Sequence, residues 1–402
     1  MGEYILYCER CVFPETKPDL FIDGEGICSA CRYYERRPEI DWNARKSEFL
    51  DIAGKYRSPD GSSYDCIVPV SGGKDSTYQV LMVRKLGLRP LCVVATTCQL
   101  SDIGRRNIAN LKSLGVDCVE YSTDPQVRSK LNRIGLVEVG DISWPEHVSI
   151  FTVPVRIAVQ FNIRLLVWGE NPQHEYGGPA TKAHDQVLDR RWLEEFGGLL
   201  GLRVSDLVGR EGLTRQDLIL FTYPSQEDLV RVGVTGLFLG YYFPWDGYSN
   251  ALLSQANGFE TLPHAVEGSL VSYENLDNVQ TGIHDYFKFL KYGFCRVSDI
   301  ASLHIRRGRM RREDAVEIVK QRDGKFPWTY LGYPIEDVLK RMAMSLEEFV
   351  KICDRFTNKR LFKCDNRGTL IKDERGNLTK INYDNAEHRA HAGASDAGAG
   401  IK

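Results

Sequence analysis

The chain has no apolar run of membrane-spanning length, almost no net charge and no internal repeat. Its 402 residues carry 52 basic and 54 acidic side chains, a formal charge of −2. The basic footprint of a general nucleic-acid binder is therefore missing, and neither nucleic acid nor a membrane is expected as a partner. The opening stretch MGEYILYCERC lacks the apolar core of a signal peptide. Leu6 stands where an N-myristoylation motif wants Ser or Thr. The expectation is a cytoplasmic protein. In a reducing compartment its 11 cysteines do not make a disulfide framework. Seven of them (Cys66, Cys92, Cys98, Cys118, Cys295, Cys353 and Cys364) scatter, mostly among apolar neighbours, and read as small core residues. The ATPase P-loop is absent as well. Where a lysine follows two glycines, at Gly72-Gly73-Lys74, the next residue is Asp75 and the G-x-x-x-x-G-K-[ST] spelling fails.

The other four cysteines do not scatter. Cys8, Cys11, Cys28 and Cys31 give C-x2-C-x16-C-x2-C, inside the spacing window of a four-thiolate zinc site. Two tight turns can close a tetrahedron around one ion, and the ion supplies folding energy that so short a segment cannot obtain from a core. Four ligands leave no open position, so the Zn2+ is expected to be structural, in a knuckle over residues 1–40. A redox dithiol would need only one C-x-x-C.

Beyond a polar linker at 35–63, short valine- and isoleucine-rich runs appear at 65–70, 91–96, 117–121 and 163–168. Helical patterns lie between them. Tyr78, Leu81, Met82 and Leu86 end at Gly87, Ile108, Leu111 and Leu114 end at Gly115, and a third pattern at 147–161 carries Pro154, where a kink is expected. Alternation of this kind predicts an α/β domain over 60–250, with a parallel sheet covered by helices. Residues 185–235 read as an insertion or lid, 251–383 as a mainly helical C-terminal region for substrate or partner, with helices at 310–321 and 335–356. The segment 384–402 reads as a disordered tail.

Ligands of such sheets bind at the carboxyl ends of strands. Ser71, Gly72, Gly73, Lys74, Asp75 and Ser76 occupy one such end, between a buried strand and a helix start. Two glycines let successive N–H groups face one concavity, and the helix dipole and Lys74 add positive charge. The Ser71 and Ser76 hydroxyls can donate to phosphate oxygens. Asp75 would repel bare phosphate, which points to Mg2+ between them. A plain capped turn explains the same residues.

S-G-G-x-D-S after a strand resembles the PP-loop of the ATP pyrophosphatases. With "YCERCVFPETKPDLFIDGEGICSAC", "DIGRRNIANLKSLGVD", "WGENPQHEYGG", "YYFPWDG", "HDYFKFLKYGF" and "IRRGRMRREDA", the chain from residue 7 to about 325 is similar to the N-acetyl sugar amidotransferases. The resemblance implies an adenine nucleotide α-hydrolase-like parallel sheet, with ATP adenosine near Ala95, Thr96 and Thr97. It implies adenylation of the acetamido oxygen of a nucleotide-activated sugar, displacement of AMP by ammonia, and release of pyrophosphate. The product is an acetamidino sugar for surface polysaccharide or flagellar glycan. The ammonia is expected from a separate glutaminase subunit of the imidazole-glycerol-phosphate-synthase type. The chain itself has no evident glutaminase, and Gly2 excludes an N-terminal cysteine nucleophile. A tRNA-thiolating enzyme and a non-enzymatic zinc-knuckle adaptor are the alternatives.

Lys74 and Asp75, with Glu170 or Glu175 as the base for incoming ammonia, are the expected catalytic side chains. Asn171, Tyr176 and Gly177 continue the edge expected to hold the sugar amide; a polar turn at Asn171-Pro172 is the simpler account. Lys288 and Lys291 share a helical face with His284 and either touch pyrophosphate or lie in solvent. Arg306 heads a block with Arg307, Arg309, Arg311 and Arg312 that is either exposed or clamps phosphates. The aromatics of 241–248 belong to a partner contact or to the core.

Overall fold

The structure, a computed structural model, describes residues 5–97, 99–170 and 200–381. The N-terminal knuckle leads into helix α1 (Ser29–Glu35) and then α2 (Trp42–Gly54), capped by the Asp41 carboxylate on Asn43 N and Ala44 N. The expected linker therefore contains a helix. Its Phe49 is fully buried against Tyr242 and Phe243, with ring centroids 5.3 and 5.5 Å away, so α2 belongs to the main core.

Strands β1 (Cys66–Pro69), β2 (Pro90–Ala95), β3 (Asp117–Tyr121) and β4 (Leu165–Trp168) fall on the four apolar runs. Between them lie helices α3 (Lys74–Lys85), α4 (Asp102–Ser113), α5 (Pro125–Val139) and α6 (Trp144–Phe161), the last continuing through Pro154. Helix α7 (Gln226–Val232) then precedes β5 (Thr235–Phe238), which the sequence pattern did not reveal. All neighbours pair in parallel, in the order β3-β2-β1-β4-β5. The strand order reverses between β1 and β4. A crevice opens outside the carboxyl ends of strands at such a point, and the loop Ser71–Ser76 leaves β1 there.

The C-terminal region adds α8 (Leu239–Tyr242), α9 (Gly247–Gln255), α10 (Thr281–Tyr292), α11 (Arg296–Arg306) and α12 (Arg312–Arg322). A small antiparallel pair, β6 (Thr329–Tyr330) with β7 (Tyr333–Pro334), precedes α13 (Ile335–Arg341) and α14 (Leu346–Phe356). The expected single helix over 335–356 is thus two. Ala343 takes a left-handed φ of 49°, and Ser345 caps the second helix on Glu348 N. Aromatic residues of α10 and α14, with Phe326, form a second core. Tyr241, Tyr242, Phe243 and Trp245 are buried in the first, so these four are core, while Tyr248 of the same segment is exposed. Among the described residues no helix is long and apolar enough to cross a membrane.

Candidate active site

Gly72 holds φ at +82°, and a Cβ on it would stand 2.8 Å from Ile108 Cγ1 and 2.9 Å from Ile108 N of α4. The loop lies so close to α4 that no side chain fits. Gly73 then caps α3 without a side chain, so the first-turn N–H groups have no side-chain acceptor there. The Ser71 hydroxyl accepts from Gly73 N at 3.3 Å, and Ser76 Oγ donates to Gly73 O at 3.0 Å. Both hydroxyls brace the loop.

Lys74 is buried, paired with Asp75 and 3.1 Å from Glu274 Oε1. Burial works against its ammonium, but Asp75, Glu274 and Glu170 more than offset this and hold its pKa above the ordinary lysine value. Asp75 also accepts from Asn250 Nδ2 at 2.9 Å, and Ser254 Oγ donates to Lys74 O at 2.7 Å. Helix α9 therefore fixes the start of α3.

The loop faces a polar cavity of about 140 Å³ whose opposite wall is Tyr273–Asp277 with Arg296. Glu170, just past β4, borders it too. Backbone pairing holds the wall: Ser101 N donates to Asp277 O at 3.0 Å and Val279 N to Gln99 O at 3.2 Å. Gly104 permits the approach, since a Cβ there would stand 2.6 Å from Asp277 Cα. Arg296 is gripped by both oxygens of Asp285, at 2.9 and 3.1 Å. Burial tends to raise the Glu274 pKa, yet Lys74 and Arg296 hold it below the usual carboxylate value. Asp277 has no such help, and burial pushes it up to about 6. Two cations thus face four carboxyls: Asp75, Glu170, Glu274 and Asp277. A polyphosphate would meet net repulsion in such a set, and one or two carboxylates with phosphate oxygens are the donor set Mg2+ takes.

A second cavity, about 520 Å³, opens at the ends of β2 and β3 and is lined by Thr96, Thr97, Arg105 and Arg128 among others. Ala95 ends β2 beside it. Thr96 Oγ1, Thr97 Oγ1 and Gln99 Oε1 are buried there without a hydrogen-bond partner, as expected where a ligand supplies one. Arg128 is fully buried, donating to Thr123 Oγ1, Ser149 Oγ and Thr96 O.

Other expected site residues lie elsewhere. Lys288 pairs with Asp299 over the Phe294 ring, and Lys291 donates to Val139 O at 2.8 Å. The cavity facing the loop is lined by neither. Arg306 is buried with its guanidinium 5.4 Å from the Phe13 ring centroid, on the knuckle and outside both cavities. The rest of the arginine block is a set of clasps. Arg307 and Arg309 bind Asp246, Arg311 binds Asp314, and Arg312 donates to the Cys8 and Cys11 carbonyls. These contacts give each arginine of the block a partner within the chain. Asn171, Glu175, Tyr176 and Gly177 lie outside the described residues, as do the tail and part of the expected insertion.

The four knuckle cysteines are buried, with one sulfur of each within 4.8 Å of the others. Cys8–Cys31 and Cys11–Cys28 sulfurs are 3.9 and 3.7 Å apart, against about 3.8 Å for the edge of a tetrahedron with Zn–S bonds of about 2.3 Å. Cys28 N donates to Cys8 Sγ at 3.2 Å. The four thiols act on one another in opposite senses: the Cys11, Cys28 and Cys31 thiols hold Cys8 well below its ordinary pKa, while Cys28 and Cys31 are themselves held above theirs.

Glu274, Asp277, Arg296 and Asn250 escaped the sequence reading. They sit in irregular polar segments far along the chain, with no periodicity to mark them.

Residues 267–375 match the family described as LPS biosynthesis protein WbpG-like, C-terminal domain. The wall opposite the loop comes from that stretch. A segment of 120 residues is 30% identical to Uncharacterized protein MJ1599 of Methanocaldococcus jannaschii, covering 29% of this chain. The match spans 43% of that relative's length, less than half of it. Among solved structures, a predicted subunit of tRNA methyltransferase from Methanocaldococcus jannaschii aligns with TM-score 0.25 and 14% identity over 47% of this chain and 75% of that one. NMN synthetase from Francisella tularensis aligns with TM-score 0.26 and 12% identity over 56% and 98%. Likeness this slight carries no argument about function.

Proposed function

We propose that the chain is an ATP-dependent, AMP- and pyrophosphate-forming amidotransferase acting on an N-acetyl sugar carried by a nucleotide. The observation that carries this reading is the glycine loop at the strand-order reversal, closed by a wall from the segment similar to a lipopolysaccharide-biosynthesis family. The loop amides and Lys74 neutralise the β- and γ-phosphates, and the adenosine occupies the cavity at Thr96 and Thr97. Asp75 is the residue that would hold Mg2+ there, and the ion would supply further charge neutralisation. The amide oxygen attacks the α-phosphorus as pyrophosphate leaves. Ammonia from the separate glutaminase subunit then adds to the imidate carbon, and AMP departs with the oxygen. Glu170 or Glu175 takes the proton that nitrogen loses. An amide oxygen is a poor leaving group, and adenylation both activates the carbon and supplies AMP to leave. The protein contributes positioning and exclusion of water.

The test is mass spectrometry of acetamido nucleotide sugars incubated with the protein, ATP, magnesium and ammonium. Replacement of O by NH, a loss of about one mass unit, with AMP and pyrophosphate formed, supports the reading. Formation of ADP instead, or sulfur transfer to tRNA, overturns it.

A further inference from the structure

Asp141, His147 and His284 meet outside both cavities and apart from the knuckle. Asp141 follows Gly140, the left-handed residue that ends α5. His147 stands on the first turn of α6 and His284 on the first turn of α10. One ligand atom of each lies within 4.8 Å of the other two. His284 Nδ1 is 2.8 Å from Asp141 Oδ1, and His147 Nδ1 is 3.1 Å from Asp141 Oδ2. The two rings meet edge to face with centroids 5.1 Å apart. Asp141 is buried while both imidazoles are half-buried, so the cluster has a solvent side.

A carboxylate that merely orients two histidines would take an N–H from each. His284 fits that description. His147 does not: its buried Nδ1 stands 3.1 Å from Asp141 Oδ2 without the geometry of a hydrogen bond. A cation seated between the two rings and the carboxylate would take a lone pair from each. We propose that Asp141, His147 and His284 ligate a divalent transition-metal ion of zinc or ferrous type. Bonds of about 2.0–2.1 Å place neighbouring ligand atoms about 3 Å apart on the cis edges of an octahedron, and each imidazole nitrogen lies 2.8 or 3.1 Å from its own oxygen of Asp141. Two imidazoles and one carboxylate on one side of an ion leave its other positions open, a donor set suited to nitrogen- and oxygen-preferring metals.

The surroundings agree. Asp141 Oδ1 also accepts from Ser143 N at 2.9 Å, which fixes the carboxylate plane. Buried Glu146 on α6 adds negative charge beside His147. Lys291 on α10 is the opposing cation, its ammonium turned to Val139 O. The ion would tie α10 to the α5–α6 turn. Asp285, next to His284, is the residue that grips Arg296 at the wall of the loop cavity. The ion is thus a positioning element for that wall and touches no substrate.

The test is metal content of the full-length purified protein, loaded separately with zinc, ferrous and cobaltous ions and then desalted. The wild-type chain is expected to retain one equivalent beyond that of the four cysteines, and Asp141→Asn or His284→Ala only the cysteine-bound one. With cobalt the cysteine site gives intense thiolate charge-transfer bands, and the second equivalent adds weak visible bands without them. A wild-type chain that never exceeds the cysteine-bound equivalent, or a second equivalent that His284→Ala and His147→Gln both keep, overturns the proposal. The wild-type stoichiometry needs no substitution, so a variant that fails to fold does not decide the outcome.

Discussion

Lys74 Nζ lies 3.1 Å from Glu274 Oε1, and through this pair the segment similar to the lipopolysaccharide-biosynthesis family becomes the counter-charge of the glycine loop. The two residues are 200 positions apart in the chain. Their side chains are 9% and 13% exposed, so neither charge can be satisfied by water alone. Removing one partner leaves the other to Asp75 or Arg296, which already serve other groups.

The pair should therefore couple. In a double-mutant cycle of Lys74→Met and Glu274→Gln, read by urea unfolding, the interaction energy is expected at about 0.5–3 kcal/mol. A coupling indistinguishable from zero would mean that the wall and the loop are independent.

Gly72→Ala and Gly73→Ala should differ sharply. The first forces a left-handed backbone on a residue with a Cβ, worth about 1–2 kcal/mol, and drives that Cβ into Ile108 backbone. The second meets only Ser71 Oγ at 3.3 Å with an ordinary negative φ. Thermal melts should show a large loss for Gly72→Ala and a small one for Gly73→Ala. Equal losses would count against the close approach of the loop to α4.

Arg306→Ala tests whether the arginine block is structural. Loss of its contact with the Phe13 ring is worth about 0.5–2 kcal/mol, so the melting temperature should fall. In the reaction proposed above, the KM for ATP and for the sugar should stay as in the wild type. A raised KM with unchanged melting would support the clamp role instead.

Four strands, the loop, α3, α4 and the cysteine knuckle were legible because each is a local pattern: apolar runs, apolar spacing, ligand spacing. Strand β5 was not, since Thr235-Gly236-Leu237-Phe238 is short, sits at the sheet edge and shows no alternation. Helix α5 did carry signals, with Asp124 as cap, Pro125 in its first turn and Gly140 at its end. The break before α14 was likewise written in Ser345 and Glu348, a capping-box pair. The site wall is a different matter. Glu274, Asp277 and Arg296 are placed by backbone pairing of 276–279 with 99–101 and by Asp285, and no local pattern encodes such long-range contacts. Arg312 belongs to the same class, since only the fold brings it to the Cys8 and Cys11 carbonyls.

Chelation should therefore be felt beyond the knuckle. Structural zinc contributes folding energy directly, and Arg312 and Arg306 lean on the turn the ion would organise. After zinc removal, or in Cys28→Ser, amide exchange should rise in residues 5–35 and also in α11 and the start of α12. Exchange confined to the knuckle would show that those arginines do not transmit the loss.

Asp277 predicts a pH dependence with a definite sign. Burial raises its pKa from the ordinary 3.8 to about 6, opposed only by a backbone hydrogen bond. Between those pH values the folded chain keeps a proton that the unfolded chain has lost. Stability must then fall as pH rises through this window, and the deficit persists above it. A shift of this size corresponds to about 1–3 kcal/mol. The carboxyl cannot escape by retreating, because the Asp277 backbone is pinned on Ser101 N and packed where Gly104 lacks a side chain. Asp277→Asn keeps the shape and removes the charge. It should match the wild type near pH 4 and exceed it by about that amount at pH 7.5 in urea unfolding. An unchanged difference between the two proteins across that range would show that Asp277 ionises as freely in the fold as in the unfolded chain.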